Sequence, residues 1–274
     1  MAILITGAKG FVGSALSDFL KRTGREIVLL EADIADKKEV LDFKYDGPIE
    51  TIVHLAGVIG GKNNDAFKRV NIEGTKNITE LGRKLQVKKI VFISSLRVLS
   101  SLSDPYIDSK REAEKIVVSS GLPYVVLRPS IIYGPGDNKN FAFLLRLIRI
   151  LPLVPIFNFR MQPIFVDDIV FAIAKCLDLP ASQTIDLAGT EIVSYRDLVL
   201  LLKARGYKIR TINMPRLFGA LLKFFSWLPF SPMTSWQVKT LLSDEIFIRS
   251  QSWSLLEIKT TPFSEGLDKL LKNL

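Results

Sequence analysis

Five short apolar runs, at 2–6 (AILIT), 26–30 (EIVLL), 51–55 (TIVHL), 89–94 (KIVFIS) and 124–128 (YVVLR), punctuate the first half of the chain, with longer amphipathic stretches between them. Runs that are apolar without strict alternation suit strands buried on both faces, as in a parallel sheet covered by helices. The strand–helix rhythm therefore predicts an α/β fold built on a doubly wound parallel sheet. After Pro129 the rhythm breaks into loops rich in Gly, Pro and Asn (133–140) and a proline-interrupted apolar stretch (151–159), so a smaller C-terminal, substrate-binding lobe is expected downstream. The run at 164–177 (IFVDDIVFAIAKCL) reads as a return to the first domain. The expected boundaries are 1–160 for the sheet domain, with 161–190 returning to it, and 191–274 for most of the lobe.

Composition narrows the function. With 274 residues, 48% of them hydrophobic, the chain has enough apolar surface for a full core, which excludes a disordered segment. Cys176 is the single cysteine, and no Cys/His cluster has metal-ligand spacing, so a metal-free site and a cytoplasmic setting are expected. The apolar start AILIT runs into glycines rather than a cleavage site and reads as a first strand, not a signal peptide. Arg146, Arg149, Pro152 and Pro155 interrupt the most apolar region, short of the ~20 residues that span a bilayer. The formal net charge of +9 suits a phosphate-bearing ligand, a nucleic acid or an anionic surface. Its lysines are scattered, without an arginine-rich run, zinc-finger spacing or aromatic RNA-binding signature, so no nucleic-acid partner is expected.

The first apolar run ends in Gly7-Ala-Lys-Gly10-Phe11-Val12-Gly13, directly before a helical pattern. In such a GxxGxxG turn the first glycine permits the tight bend, the second lets backbone approach a pyrophosphate, and the third lets the helix pack on the sheet. The helix N-terminus supplies N–H donors and positive potential, so a diphosphate needs no charged side chain there. The reading is a Rossmann-type dinucleotide site for NAD or NADP. Glu31, at the end of the second run, is the candidate acceptor for adenosine ribose hydroxyls, whereas Lys9 is placed to attract a 2′-phosphate. Asp33 and Ile34 form a short acidic turn suited to an adenine ring.

Further along, Tyr106 and Lys110 form YxxxK, a spacing that puts both side chains on one helix face. A free tyrosine titrates near ~10, and an adjacent ammonium is expected to bring it toward the working range. The pattern arises often by chance. Here it follows, in chain order, the glycine turn, HLAG (54–57), VNIEGT (70–75) and FISS (92–95). This series resembles the short-chain dehydrogenase/reductase superfamily in its extended or atypical form, with an NAD(P)-dependent epimerase/dehydratase-like layout. The resemblance continues through RPSIIYGPGD (128–137) and QPIFVDDI (162–169).

The resemblance implies that Gly7, Gly10 and Gly13 hold the pyrophosphate and that Ala56 and Gly57 lie on the adenosine side. It makes Ser95 the donor to the reacting oxygen, Tyr106 the acid/base, Lys110 the ribose-binding and pKa-lowering group, and Pro129 a neighbour of the nicotinamide. It further implies an oxidoreductase or epimerase acting on a secondary alcohol or ketone, with a nucleotide-sugar small molecule as substrate. His54, the sole histidine, follows a buried strand without an evident partner and reads as structural.

Two departures stand out. The segment between Ser95 and Tyr106, LRVLSSLSDP, is short and has VLS where nucleotide-sugar epimerases have VYG. Met161 stands where those enzymes tend to carry arginine, with Arg160 one place earlier. The short segment and the string QPIFVDD (162–168) resemble the atypical branch that includes the NADPH-binding accessory subunit of respiratory complex I and quinone-pathway relatives. This gives the alternative reading, a non-catalytic NAD(P)H-binding structural or assembly protein. The stretch 216–230 (RLFGALLKFFSWLPF) is apolar around most of a helical circumference. It reads as a core helix of the lobe, with a substrate-pocket lid or homodimer contact and a peripheral membrane contact as the other readings.

Overall fold

The computed structural model of the chain describes residues 2–61, 63–137, 141–213, 245–247 and 251–273. The stretch 216–230 lies outside the described residues. All five expected runs are strands: β1 (Ala2–Thr6), β2 (Ile27–Leu30), β3 (Ile49–His54), β4 (Lys89–Ile93) and β5 (Tyr124–Pro129). A sixth, β10 (Gln183–Leu187), joins them in one parallel sheet of order β10-β5-β4-β3-β1-β2. The order reverses between β1 and β3. In a doubly wound sheet ligands bind at that switch, outside the carboxyl ends of the strands.

Side-chain alternation divides the core. Leu4, Ile52, Ile90, Phe92 and Val126 cluster with residues of α2 (Lys37–Leu41), α4 (Gly74–Lys84) and α5 (Pro105–Val118). Ile3, Ile5, Val53 and Val91 alternate with them and are buried on the other face. There α1 (Phe11–Arg22) and α7 (Val166–Asp178) pack together, with the Phe19 and Phe171 rings edge to face at 5.3 Å. Burying each such aliphatic side chain contributes about 1.5–3 kcal/mol. The buried Lys89 is explained by its ammonium, which donates to the carbonyls of Cys176, Leu177 and Leu179 at 2.7–2.9 Å and so caps the end of α7.

A second compact unit comprises the described residues of 131–165, 188–248 and 260–274; the first takes those of 1–130, 166–187 and 249–259. The division falls at Ser130, next to the break in rhythm after Pro129 and ahead of the boundary expected at 160. The reason is pairing: β6 (Ile132–Tyr133) joins β9 (Ile164–Phe165), not the six-stranded sheet. Two more short pairs complete the unit, β7 (Val154–Ile156) with β12 (Thr211–Asn213) and β8 (Arg160–Met161) with β11 (Val193–Ser194). Its core is aromatic, with Tyr133 packed against Phe141, Phe165 and Phe263 at centroid distances of 5.2–5.6 Å. Gly266 is required there, since a Cβ would come 2.2 Å from the Tyr133 hydroxyl. Among the described residues no helix is long and apolar enough to cross a membrane.

Candidate functional site

The glycine turn joins β1 to α1. Gly7 has φ +70° and lies against the backbone of Ala56, where an added Cβ would sit 2.6 Å from the Ala56 nitrogen. At Gly13 a Cβ would meet the Gly7 carbonyl oxygen at 2.1 Å, so only glycine lets α1 start this close to the turn. Gly10 is the N-cap and no side chain accepts from the first turn of α1, which leaves N–H donors directed at the turn. Phe11 and Val12 open the helix and are partly buried. A cradle that any Cβ would fill, at an uncapped helix N-terminus, fits a diphosphate.

The residues assigned to the adenosine end are distributed differently. Glu31 is exposed and pairs with Lys9 at 2.9 Å, so the acid and the base that argue for opposite cofactors meet each other. Asp33 is held by Arg69 at 2.9 Å and accepts from the Ala35 N–H. Ile34 is only 5% exposed and lies over Gly74, so its apolar surface is spent inside the protein. Ala56 abuts the Gly7 turn. Gly57 stands beside Asn71 and Lys110: a Cβ there would lie 3.2 Å from Asn71 Oδ1 and 4.0 Å from Lys110 Nζ. Pro129 is buried at the end of β5, paired with Leu187.

His54 has partners that the sequence did not reveal. Its Nδ1 lies 2.7 Å from Thr6 Oγ1 and its Nε2 lies 3.1 Å from Thr75 Oγ1. The Thr75 hydroxyl donates its one proton to the Asn71 carbonyl, so it must accept from His54 Nε2–H. Neutral Nδ1 then accepts from the Thr6 hydroxyl, which itself accepts from the Ala56 N–H. This directed chain ties the ends of β1 and β3 to a π-helical segment (Phe67–Glu73) carrying Asn71. The Asn71 amide in turn clamps the Val58 backbone from both sides, at 2.7 and 3.0 Å, and donates to Ser109 on α5.

Burial pushes the His54 imidazole down to about 3, with the Lys110 charge adding to the effect. Unfolded histidine takes up a proton below about pH 6.5, and the folded one does not. Its contribution to stability is therefore complete above ~6.5 and falls as the pH drops, by about 1.4 kcal/mol per pH unit. Denaturant unfolding should show a loss of about 2 kcal/mol between roughly pH 7 and 5. His54→Gln should remove that slope while lowering stability at neutral pH. An unchanged slope in the variant would refute the assignment.

Ser95, Tyr106 and Lys110 converge at the carboxyl end of β4. Asp104 caps α5, accepting from the Ile107 N–H at 2.7 Å, with Pro105 at the first helical position, so Tyr106 lies in the first turn. Ser95 follows β4, caps the short 3₁₀ turn (Leu96–Leu99) and hydrogen-bonds the Tyr106 phenol. Arg111 holds the segment between them, donating to the carbonyls of Val98, Ser100 and Leu102. Lys110 Nζ donates to the Ile93 carbonyl at 2.7 Å and stands 4.5 Å from the centre of the Phe92 ring.

Burial dominates the electrostatics at Tyr106. Burial raises the Tyr106 pKa above its usual value; the Ser95 hydrogen bond and the Arg97 charge pull it down, and Asp104 pushes it up. Lys110 is not among the groups that move it. Lys110 itself is lowered to about 8 by burial, opposed by Glu114. The site therefore holds a phenol raised by burial and, one turn along the same helix, an amine lowered to about 8.

The comparisons agree with this geometry. Residues 3–187 match the model of the NAD dependent epimerase/dehydratase family. The chain is 29% identical to a UDP-glucose 4-epimerase of Vibrio cholerae over 72% of its length and 74% of the relative's. It is 22% identical to the mitochondrial NADH dehydrogenase [ubiquinone] 1 alpha subcomplex subunit 9 of Dictyostelium discoideum, over 81% of this chain and 68% of that one. The crystal structure of a UDP-glucose 4-epimerase from Thermotoga maritima superposes with a TM-score of 0.78 at 20% identity, covering 100% of this chain and 98% of that one. A glycine cradle, a Ser/Tyr/Lys cluster at the same sheet edge and a family match over more than half the chain lead to one conclusion: the protein is an NAD(P)-dependent enzyme of the short-chain dehydrogenase/reductase type and belongs to the NAD dependent epimerase/dehydratase family.

Proposed function

We propose that the protein is an oxidoreductase or epimerase that acts on a secondary alcohol or ketone of a nucleotide-sugar-type substrate, with Tyr106 and Lys110 assisting hydride transfer. The observation that carries this reading is that the Ser95 hydroxyl with its bonded Tyr106 phenol, and the Lys110 ammonium bonded to the Ile93 carbonyl, meet at the carboxyl end of β4. The UDP-glucose 4-epimerase relatives supply the substrate class.

In this reading the N–H groups at Gly10–Gly13 hold the cofactor diphosphate, Lys110 gives N–H donors to ribose hydroxyls, and Pro129 lines the nicotinamide side. The bound nicotinamide supplies the hydride acceptor or donor. Tyr106 Oη gives its proton to the carbonyl oxygen on reduction, and on oxidation its phenolate form takes the proton of the substrate hydroxyl. Ser95 Oγ–H donates to the oxygen on which charge develops, which stabilises the transition state more than the ground state. The second compact unit is the substrate-binding lobe of this reading.

Incubating the purified protein with NAD and a panel of UDP-hexoses, then reading stereochemistry by NMR, tests the proposal. Interconversion of one epimer pair is the expected result. Retention of NAD(P)H without turnover of any sugar, secondary alcohol or ketone would favour the second reading, a non-catalytic accessory protein, for which the likeness to the complex I subunit is the supporting observation.

A further inference from the structure

On α5 the residue one turn after Lys110 is Glu114, and residues four apart on a helix face one another. Left to itself, a buried carboxylate there would pair with the Lys110 ammonium. Instead it is claimed by Arg128 on β5: Arg128 Nε lies 3.0 and 3.1 Å from the two Glu114 oxygens, and Nη2 lies 2.6 Å from one of them. The remaining fork arm, Nη1, lies 3.4 Å from Asp186 on β10. All three side chains are largely buried, at 21%, 10% and 19% exposure for Arg128, Glu114 and Asp186. A planar guanidinium with two acids fixed on its edges is a rigid arrangement, since bidentate geometry restrains both partners.

We propose that Arg128 is a positioning residue for Lys110: by gripping both oxygens of Glu114 it keeps that carboxylate off the ammonium one turn earlier, so that Lys110 remains aimed past Ile93 at the site. The role in the reaction rests on the function proposed above; the control of the Lys110 charge does not. The charged or titratable groups on α5 are Tyr106, Asp108, Arg111, Glu112, Glu114 and Lys115; the strands and turn about it carry His54 on β3, Lys89 on β4, Arg97 on the 3₁₀ turn, and Tyr124 and Arg128 on β5. Lys68, Arg69 and Glu73 lie on the π-helical segment, and Lys76, Glu80, Arg83 and Lys84 on α4. Of these Glu114 acts on Lys110 to hold the proton on, and the Lys110 charge acts in turn on His54.

The charge arithmetic gives two substitutions opposite signs. Glu114→Gln removes the one carboxylate that favours the ammonium, so the Lys110 titration should move down. Arg128→Met frees Glu114 to pair with Lys110, so the titration should move up by about one pH unit, the lower end of the range for a new opposite-charge neighbour. A merely structural bridge would make both variants less stable and move Lys110 the same way in each, or not at all.

The test is competitive acetylation of the full chain with trace acetic anhydride across a pH series, with the Lys110 peptide quantified by mass spectrometry. It is run on the wild type, Arg128→Met, Glu114→Gln and Arg128→Lys, with NADH affinity measured by fluorescence on the same samples. The expected result is opposite displacement of the Lys110 titration in the first two variants and a near-wild-type titration in Arg128→Lys, which keeps the charge and most of the fold. NADH affinity should follow the fraction of charged Lys110. Displacement in the same direction, or none in a variant that keeps wild-type circular dichroism, would overturn the inference. Because the labelling needs no substrate, it stands whether or not turnover is found.

Discussion

Tyr106→Phe is expected to lower kcat by about 10²- to 10⁴-fold, the range that a positioned general acid or base contributes. NADH affinity should stay within about twofold of wild type, because a hydroxyl used only as charge develops adds little to ground-state binding. The ring is not the issue: a phenylalanine side chain would keep the edge contact that Tyr106 makes with Phe67 at 6.4 Å. What disappears is the phenolic proton and its bond to Ser95. Stopped-flow turnover beside a fluorescence titration of cofactor separates the two quantities. Equal loss of affinity and rate would mean that Tyr106 is a binding residue only.

The second large effect belongs to the glycine turn, where two substitutions should fail for different reasons. Gly13→Ala drives a methyl group into the Gly7 carbonyl oxygen at 2.1 Å and the Ala8 Cα at 2.8 Å, backbone atoms that have no room to yield. It should cost about 1–3 kcal/mol or more of stability, as overpacking does, and abolish cofactor binding with it. At Gly10 a Cβ meets only the Gly7 carbonyl oxygen, at 3.1 Å, and φ is −79°, which any residue adopts. Gly10→Ala should therefore fold normally, yet bind NAD(H) more weakly by about tenfold or more, equivalent to ~1.4 kcal/mol. Thermal melting and cofactor titration on the two proteins check the contrast. Undiminished affinity in Gly10→Ala would remove the pyrophosphate from this turn.

The features legible in the sequence were those written in neighbouring residues. Parallel strands buried on both faces appear as apolar runs, and the glycine spacing and YxxxK lie within single turns. β10 escaped because Gln183–Leu187 is an edge strand with a polar composition, QTIDL. The break after Pro129 was legible as a loss of the strand–helix rhythm, but the pairing of β6 with β9 was not, since strands two residues long leave no periodicity.

At the site, Asn71 stood in a quoted motif, VNIEGT, but its role depends on Val58 and Ser109, which approach it only after folding. The same holds for His54 with Thr6 and Thr75, and for Arg128 with Glu114 and Asp186. Spacing gives no account of burial, and at Tyr106 burial raises the pKa by more than Ser95 and Arg97 lower it.

The central claim is that a dinucleotide held at the β1–α1 turn exchanges hydride with a substrate whose proton Tyr106 handles. Its most direct test uses a UDP-hexose deuterated at the ring carbinol carbons, incubated with the protein and NAD, followed by mass spectrometry of the recovered cofactor and sugar. The account predicts that deuterium reaches the nicotinamide with wild type and fails to do so with Tyr106→Phe, although the variant still binds NAD. Deuterium transfer that proceeds undiminished in Tyr106→Phe, or that never occurs in a wild-type protein saturated with NAD and sugar nucleotide, would contradict it.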